Sequence, residues 1–158
     1  LQKQETKINL EKKSFYLDVS EKELEECLAN GSAVWDIPNG KIQLSLLKIE
    51  KENIEISKNR YTKFFDYDKI KDGFQIRTRQ TGDYLVLDEA GHKKRLKEYF
   101  INEKIPSEKR DEILLLTHQA SVFWVIGGRI SEDIKVNRDT KRIVKVQVTG
   151  GTYYEEYS

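Results

Sequence analysis

The sequence predicts an α+β protein of mixed strands and short helices, and three observations support this fold class. Leu24, Cys27 and Leu28 are spaced as on one face of a helix. Residues 33–46 instead alternate between apolar and polar side chains, which is typical of strands with one buried face. The same alternation returns at residues 143–148, so strands are expected at both ends of the chain.

The first helix is expected from Ser20 to Ala29. Ser20 and Glu23 have the spacing of a capping box, and Asn30-Gly31 supplies a C-terminal signal. A hairpin should follow over residues 33–46, with its turn at Pro38-Asn39-Gly40. We expect residues 1–13 to form a polar lead-in and Ile49, Ile54 and Ile56 to extend the hairpin. A strand is expected at residues 61–66 and one helical turn at residues 66–70.

The second half begins with a strand at residues 74–79, where alternation would place Arg77 and Arg79 on one face about 7 Å apart. A turn at Thr81-Gly82-Asp83 and a strand at residues 84–87 follow. Asp83 is expected to accept backbone N–H groups in that turn rather than to act as a catalytic group.

A helix is predicted after Gly91, ending near Asn102. At about 100° per residue, Leu96, Tyr99 and Phe100 form its buried face. Beside that face the same count predicts a stripe of four lysines, namely Lys93, Lys94, Lys97 and Lys104.

Ser107 is expected to cap a short helix that runs to Ile113. Residues 114–116 fit either the end of that helix or a buried strand. Residues 121–126 are predicted as a strand, Gly127-Gly128 as its turn, and residues 143–148 as the last strand.

Composition excludes several classes of protein. Cys27 is the single cysteine and there are 2 histidines, so we expect neither a disulfide framework nor a metal site. No apolar run approaches the roughly 20 residues that span a bilayer, so the chain is expected to be cytoplasmic, without a membrane partner. The absence of methionine, even at position 1, indicates a piece of a longer protein.

The net charge of +1 is unevenly distributed. Residues 73–149 carry 15 basic and 11 acidic groups, and residues 92–110 alone hold 7 basic and 3 acidic groups. Because a local excess of positive charge attracts polyanions, this region is the candidate nucleic-acid surface.

An ordered series of motifs between about residues 61 and 148 carries a resemblance to a known family. The series is Phe64-Phe65-Asp66-Tyr67-Asp68-Lys69, Arg77-x-Arg79-x-x-Gly82-Asp83, Lys94-Arg95-Leu96-Lys97-x-Tyr99-Phe100-Ile101-x-x-Lys104-Ile105-Pro106, Arg110 and Trp124-Val125-x-Gly127-x-Arg129. It resembles the C-terminal domain of tRNA(Ile)-lysidine synthetase, although Tyr84 stands where that family usually has arginine.

The resemblance implies a bacterial, cytoplasmic tRNA-modifying ligase that uses ATP with magnesium to attach lysine to the wobble cytidine of tRNA(Ile). It implies a sandwich-like C-terminal domain, related to a module of the phenylalanyl-tRNA synthetase β-subunit, that engages tRNA. The ATP loop of such enzymes, Ser-Gly-Gly-x-Asp-Ser, is not matched by residues 126–131. We therefore expect no catalytic residue and no cofactor in this chain, which would be inactive without its N-terminal catalytic domain.

The predicted organisation is a connecting α/β region at residues 1–70, a tRNA-binding domain at residues 71–149 and a flexible tail at residues 150–158. The residues expected to bind tRNA are Arg77, Arg79, Lys93, Lys94, Arg95, Lys97, Lys104, Arg110 and Arg129. Solvated charges without a ligand are the alternative interpretation of these side chains. A protein-interaction or homodimerisation module, whose basic helix meets an acidic partner, is the alternative function.

Overall fold

The computed structural model describes residues 14–47 and 59–150, which contain two antiparallel-rich sheets. The strands are β1 (Tyr16–Ser20), β2 (Ser32–Ile37), β3 (Gly40–Leu47), β4 (Thr62–Asp66), β5 (Gly73–Arg77), β6 (Tyr84–Val86), β7 (Lys93–Arg95), β8 (Leu115–His118), β9 (Ser121–Val125) and β10 (Ile143–Thr149). The helices are α1 (Glu21–Leu28), α2 (Tyr67–Ile70), α3 (Leu96–Asn102) and α4 (Ser107–Arg110), with a 3₁₀ turn at Glu132–Ile134. The predicted mixture of strands and short helices is confirmed.

The six-stranded sheet has the order β1-β5-β8-β9-β6-β7, and the four-stranded sheet has the order β2-β3-β10-β4. Strand β10 lies between β3 and β4, with Val146 opposite both Leu44 and Lys63. Every pairing is antiparallel except that of β6 with β9, where Tyr84 lies opposite Ser121. The last strand therefore holds together two strands from the first half of the chain.

The main core lies between the two sheets, as in a sandwich. Phe65 of the four-stranded sheet meets Trp124 of the six-stranded sheet edge to face, with ring centroids 6.1 Å apart. Leu24 and Leu28 of α1 pack into the same core. Edge-to-face aromatic contacts add to the free energy gained from burying the rings, so this pair joins the two layers at their centre.

Helix α1 confirms the predicted capping signal. The backbone N–H of Glu23 donates to the Ser20 hydroxyl at 3.1 Å, and Glu21 and Glu23 lie in the first turn. Gly31 follows the helix with a φ of 92°, a conformation that favours glycine. The predicted hairpin is confirmed as β2 and β3, with Asn39 at a φ of 64° in its turn.

A second apolar cluster lies on the other face of the six-stranded sheet. Its members are Leu85, Leu96, Tyr99, Phe100, Ile105, Ile113, Leu115, Val122 and Val125. Helix α3 supplies three of them, as its predicted buried face requires. Residues 114–116, which had two interpretations, mostly form β8, a strand buried on both faces.

Two predictions about the basic segment are wrong. Lys93 and Lys94 lie on strand β7 rather than on a helix, because residues 93–95 pair with β6 and α3 begins only at Leu96. Lys104 follows the end of α3 with a φ of 58°. The four lysines therefore do not form one helical stripe.

The second short helix also differs from its prediction. Helix α4 ends at Arg110 rather than at Ile113, and its assigned cap is Pro106, with no side-chain hydrogen bond at the cap. Ile113 is instead fully buried in the second apolar cluster.

Both sheets join residues on the two sides of the predicted boundary at residue 70. Strand β1 pairs with β5, and β3 and β4 both pair with β10. The division at residue 70 stays a prediction. The expected lead-in at residues 1–13, the extension through Ile49, Ile54 and Ile56, and the tail beyond Gly150 lie outside the described residues.

Candidate nucleic-acid interface

Strands β6 and β7 form an antiparallel ribbon at the edge of the six-stranded sheet, and β7 carries only basic residues. Lys93 and Arg95 lie on one face of this ribbon with Tyr84, which is opposite Arg95. The Lys93 ammonium lies 4.5 Å from the centroid of the Tyr84 ring, a cation–π contact. Lys94 is opposite Leu85 on the other face and is half-buried. The edge of the sheet therefore presents an ordered positive charge.

Helix α3 follows this basic strand directly in the chain and adds two exposed lysines to it. It begins directly after Arg95, where the backbone N–H of Leu96 donates to the Asp83 carbonyl at 3.0 Å. Lys97 in its first turn and Lys104 just beyond its end are both exposed. Among the described residues no ion pair is formed by Arg95, Lys97 or Lys104. We call the exposed side chains of Lys93, Arg95, Lys97 and Lys104 the basic surface.

Arg79 is half-buried beside α3 and held in place by two contacts. Its Nε donates to the Asp111 carboxylate at 2.7 Å, and its guanidinium carbon lies 5.9 Å from the centroid of the Phe100 ring. The two Nη groups make no hydrogen bond to the described residues. Because the side chain is already ordered, an incoming phosphate would meet a positioned guanidinium.

The alternation predicted that Arg77 lies on an open strand face, but the structure buries it. Strand β5 is covered on both faces, and the Arg77 side chain is 2% exposed. Its Nη1 and Nη2 donate to the two Asp83 carboxylate oxygens at 2.9 and 2.7 Å, and Nη2 also donates to the Gln119 carbonyl at 2.8 Å. This guanidinium is therefore occupied within the protein.

Asp83 has the predicted turn role and a further role that sequence reasoning missed. Its Oδ2 accepts the backbone N–H of Gln80 at 2.8 Å, which confirms the turn interpretation. The missed role is the pairing with Arg77. The sequence does contain a signal for this pair: Arg77 and Asp83 have opposite charges and flank a tight turn. A tight turn brings the residues on its two sides close together in space.

Arg110 and Arg129 are partly committed to the fold. The Arg110 Nε donates to the Ile105 carbonyl at 2.9 Å, which braces the connection between α3 and α4. The Arg129 Nη2 donates to the Leu87 carbonyl at 3.3 Å.

The Gly127-Gly128 turn does not fit a phosphate cradle. Gly127 has a φ of 88°, and the N–H of Gly128 donates to the Val125 carbonyl at 2.6 Å. The backbone N–H of Arg129 donates to the Tyr99 hydroxyl at 3.1 Å. Since two of its N–H groups are already bonded, the turn has no row of free donors for a nucleotide phosphate.

The described part of the chain has neither a membrane-spanning helix nor a candidate metal centre. No helix within residues 14–47 and 59–150 is long and apolar enough to cross a membrane. The same residues contain no group of three or more His, Cys, Asp and Glu side chains placed to hold a metal ion.

Comparisons with known proteins agree with this arrangement. A family model described as "TilS substrate C-terminal domain" matches residues 74–147, which contain the basic surface. The crystal structure of a TilS C-terminal domain superposes with a TM-score of 0.61 at 26% identity, covering 76% of this chain and 92% of that one. The sandwich-like fold is thus shared with a solved structure.

The curated relatives are larger proteins. The tRNA(Ile)-lysidine synthase of Caldanaerobacter subterraneus is 40% identical over 111 residues, which are 70% of this chain and 23% of that enzyme. The synthase of Clostridium tetani is 37% identical over 130 residues, which are 82% of this chain and 27% of that enzyme. The chain therefore spans about a quarter of the length of these relatives.

The order of the basic motifs, the two-layered fold and the matched family agree over the same residues. The resemblance drawn from the motifs is confirmed, and residues 74–147 of this chain belong to the TilS C-terminal domain family of tRNA(Ile)-lysidine synthases.

Proposed function

We propose that this chain is the tRNA-engaging C-terminal part of a tRNA(Ile)-lysidine synthase, in which the basic surface binds phosphates of tRNA(Ile). The observation that carries the proposal is the set of exposed cations without ion-pair partners among the described residues, Arg95, Lys97 and Lys104, beside the ordered Lys93. Cations that no carboxylate neutralises are free to replace the counterions condensed on RNA.

The geometry divides the remaining arginines and Lys94 into residues that can contact tRNA, residues that position others and residues at the border of the surface. Arg79 is included because its two Nη groups are available beside α3. Arg77 has a positioning role, since its hydrogen bonds to Asp83 hold the turn that carries the start of α3. Lys94, Arg110 and Arg129 lie at the border of the surface, because each is half-buried or bonded to a carbonyl.

The parent reaction is the ATP-dependent attachment of lysine to the wobble cytidine of tRNA(Ile). We propose that ATP and magnesium are bound by a catalytic domain that precedes this part in the parent protein, as the resemblance implies. The present residues contribute by positioning the tRNA. The protein is proposed to act in the cytoplasm, where tRNA is modified.

The test compares two doubly substituted proteins in titrations with a tRNA(Ile) transcript at several salt concentrations. Arg95→Ala with Lys97→Ala removes two charges from the basic surface. Lys22→Ala with Lys71→Ala removes two similarly exposed charges elsewhere and serves as the matched control. The first protein should bind more weakly and show a smaller dependence on salt, by roughly 0.7–0.9 in the log–log slope for each phosphate that is no longer neutralised.

Equal affinities and equal slopes for the two variants would refute the basic surface as the tRNA site. The alternative function, a homodimerisation or protein-interaction module, is tested by sedimentation with and without tRNA. Helix α1 offers an acidic counterpart for such a contact, since Glu21, Glu23, Glu25 and Glu26 are all exposed. A tight dimer that does not respond to tRNA would favour this alternative.

A further inference from the structure

A groove of about 630 Å³ opens between the start of β1 and the end of β5, and Arg79 is the residue that it shares with the proposed tRNA surface. It is lined by Ser14, Phe15, Tyr16, Thr78, Arg79 and Gln80. Its volume lies within the range of sites that hold one small organic group. The groove is open to solvent along the edge of the six-stranded sheet, because β1 is an edge strand.

Tyr16 supplies an unusual feature of this groove, because its side chain is 60% exposed. It lies opposite Arg77 in the register of β1 and β5, and therefore on the face of the sheet that carries α3. Its neighbour Phe15 points the other way and packs against the main core. The structure thus leaves one large aromatic ring uncovered at the sheet edge, although burial of such a ring stabilises a protein.

Arg79 supplies the second feature. It lies two residues beyond Arg77, so that it is a diagonal neighbour of Tyr16 across the two strands, at roughly 7–8 Å between Cα atoms. The contacts with Asp111 and Phe100 fix this side chain, while its Nη groups make no hydrogen bond to the described residues. An aromatic ring and a positioned guanidinium therefore line the same groove.

The floor of the groove is held in place by backbone contacts. Thr78 Oγ1 accepts the N–H of Phe15 at 3.2 Å, and the N–H of Thr78 donates to the Phe15 carbonyl at 3.1 Å. The backbone N–H of Gln80 is bonded to Asp83, whereas its side chain is exposed. Tyr16 and Arg79 are thus carried on a rigid frame.

We propose that this groove binds one unpaired nucleotide of RNA, with its base stacked on Tyr16 and its phosphate hydrogen-bonded to Arg79. The inference rests on the proposed tRNA-binding function and adds to it a site for one unpaired nucleotide. A base within a duplex is already stacked between its neighbours, so only a single-stranded nucleotide can offer a free face to Tyr16. Stacking on an aromatic ring tolerates any base, so little sequence preference is expected.

The experiment measures the affinity of the 158-residue chain for two RNA probes. One probe is a short blunt-ended RNA duplex, and the other is the same duplex with a single-stranded extension at one 3′ end. The extended probe should bind about fivefold or more tightly, because stacking of one base on an aromatic ring supplies at least that factor. Tyr16→Leu should abolish this advantage while leaving the affinity for the blunt duplex unchanged.

Two controls separate stacking from other effects. Tyr16→Phe keeps the ring and should keep the advantage. Val34→Ala alters a side chain of similar exposure, 52%, on edge strand β2 of the other sheet, and should also keep it. Thermal unfolding of each variant verifies that the protein is folded.

Each outcome decides between the two proposals. If both probes bind equally well, or if Tyr16→Leu retains the advantage, the nucleotide groove is overturned and the basic surface stands. If neither probe binds, both proposals are overturned. If only the extended probe binds, the groove is supported and the basic surface is overturned as a site that binds RNA phosphates by itself.

Discussion

The Arg77 guanidinium and the Asp83 carboxylate form a bidentate ion pair with two parallel hydrogen bonds, and each side chain is 2% exposed. Asp83 also accepts the N–H of Gln80 through its side chain and the N–H of Leu96 through its carbonyl oxygen. One aspartate therefore connects a central strand, a tight turn and the first residue of α3. The position of the basic surface depends on this connection.

We predict that Asp83→Asn lowers the free energy of unfolding by about 3–5 kcal/mol, because it leaves the buried Arg77 charge without its counter-charge. Urea unfolding at equilibrium measures the change. Asp36→Asn is the matched control, because it breaks an ion pair with Lys41 at the surface. The Asp36 side chain is 84% exposed and that of Lys41 is 62% exposed, so the loss should be at most about 1 kcal/mol.

Replacing both partners should cost less than replacing one. Arg77→Met together with Asp83→Leu removes both charges and leaves an apolar pair of similar bulk, so its free energy of unfolding should exceed that of Asp83→Asn. If Asp83→Asn lowers the free energy of unfolding by less than about 1 kcal/mol, the pair contributes no more than an exposed ion pair, and the prediction is wrong.

Gly73→Ala should destabilise the protein more than Gly31→Ala. Both glycines have positive φ angles, 106° and 92°, so alanine is strained at each. At Gly73 the added Cβ would also lie 2.7 Å from the Val19 carbonyl oxygen, whereas at Gly31 it would meet nothing within 4 Å. The Gly31 variant should lose about 1–2 kcal/mol from strain alone, and the Gly73 variant measurably more. Equal losses in thermal or urea unfolding would show that strand β1 yields to the methyl group.

Tyr99→Phe should lower the free energy of unfolding by about 0.5–1.5 kcal/mol. The substitution keeps the ring in the second apolar cluster but removes the hydroxyl that accepts the backbone N–H of Arg129. Urea unfolding checks the loss, and Tyr16→Phe, which alters an exposed tyrosine, is the control with no expected change. If the two variants are equally stable, the hydroxyl of Tyr99 contributes nothing.

The contribution of Asp68 to stability should disappear in acid. The hydrogen bond from the Arg142 guanidinium lowers the pKa of the Asp68 carboxyl below its ordinary value of 3.8. A lowered pKa in the folded state stabilises the protein above the unfolded pKa, and this stability is lost as the pH falls through the folded pKa. Because the pair is half-exposed, Asp68→Asn should cost at most about 1 kcal/mol at neutral pH.

The measurement is the difference in unfolding free energy between the wild-type protein and Asp68→Asn across a range of pH. The difference should be constant near neutrality and should shrink once the pH falls below 3.8. A difference that grows on acidification would contradict the assigned pairing with Arg142.

Local signals in the sequence predicted the elements that depend on local interactions. Ser20 and Glu23 identified the start of α1 because a capping box needs only neighbouring residues. The hairpin was found for the same reason, since Asn39 and Gly40 provide its turn. Helix α3 was found through its apolar residues.

The errors concern residues whose conformation depends on distant partners. Counting about 100° per residue back from Leu96 placed Lys93 and Lys94 on the helix. Their pairing with β6 makes them a strand instead, and helical periodicity does not reveal a partner strand. The burial of Arg77 could not be read from alternation either, because its side chain is enclosed by Asp83 and by the carbonyl of Gln119, 42 residues away in the chain. The free Nη groups of Arg79 likewise depend on Asp111, 32 residues away in the chain.

The insertion of β10 between β3 and β4 has a consequence for the order of events during synthesis. A ribosome delivers β3 and β4 well before residues 143–149 exist. Until then, the hydrogen-bonding groups that will face β10 have no partner, and the four-stranded sheet cannot close. The nascent chain therefore has two strand edges open to wrong pairing from the synthesis of β4 until residues 143–149 emerge, and β10 then pairs with both edges.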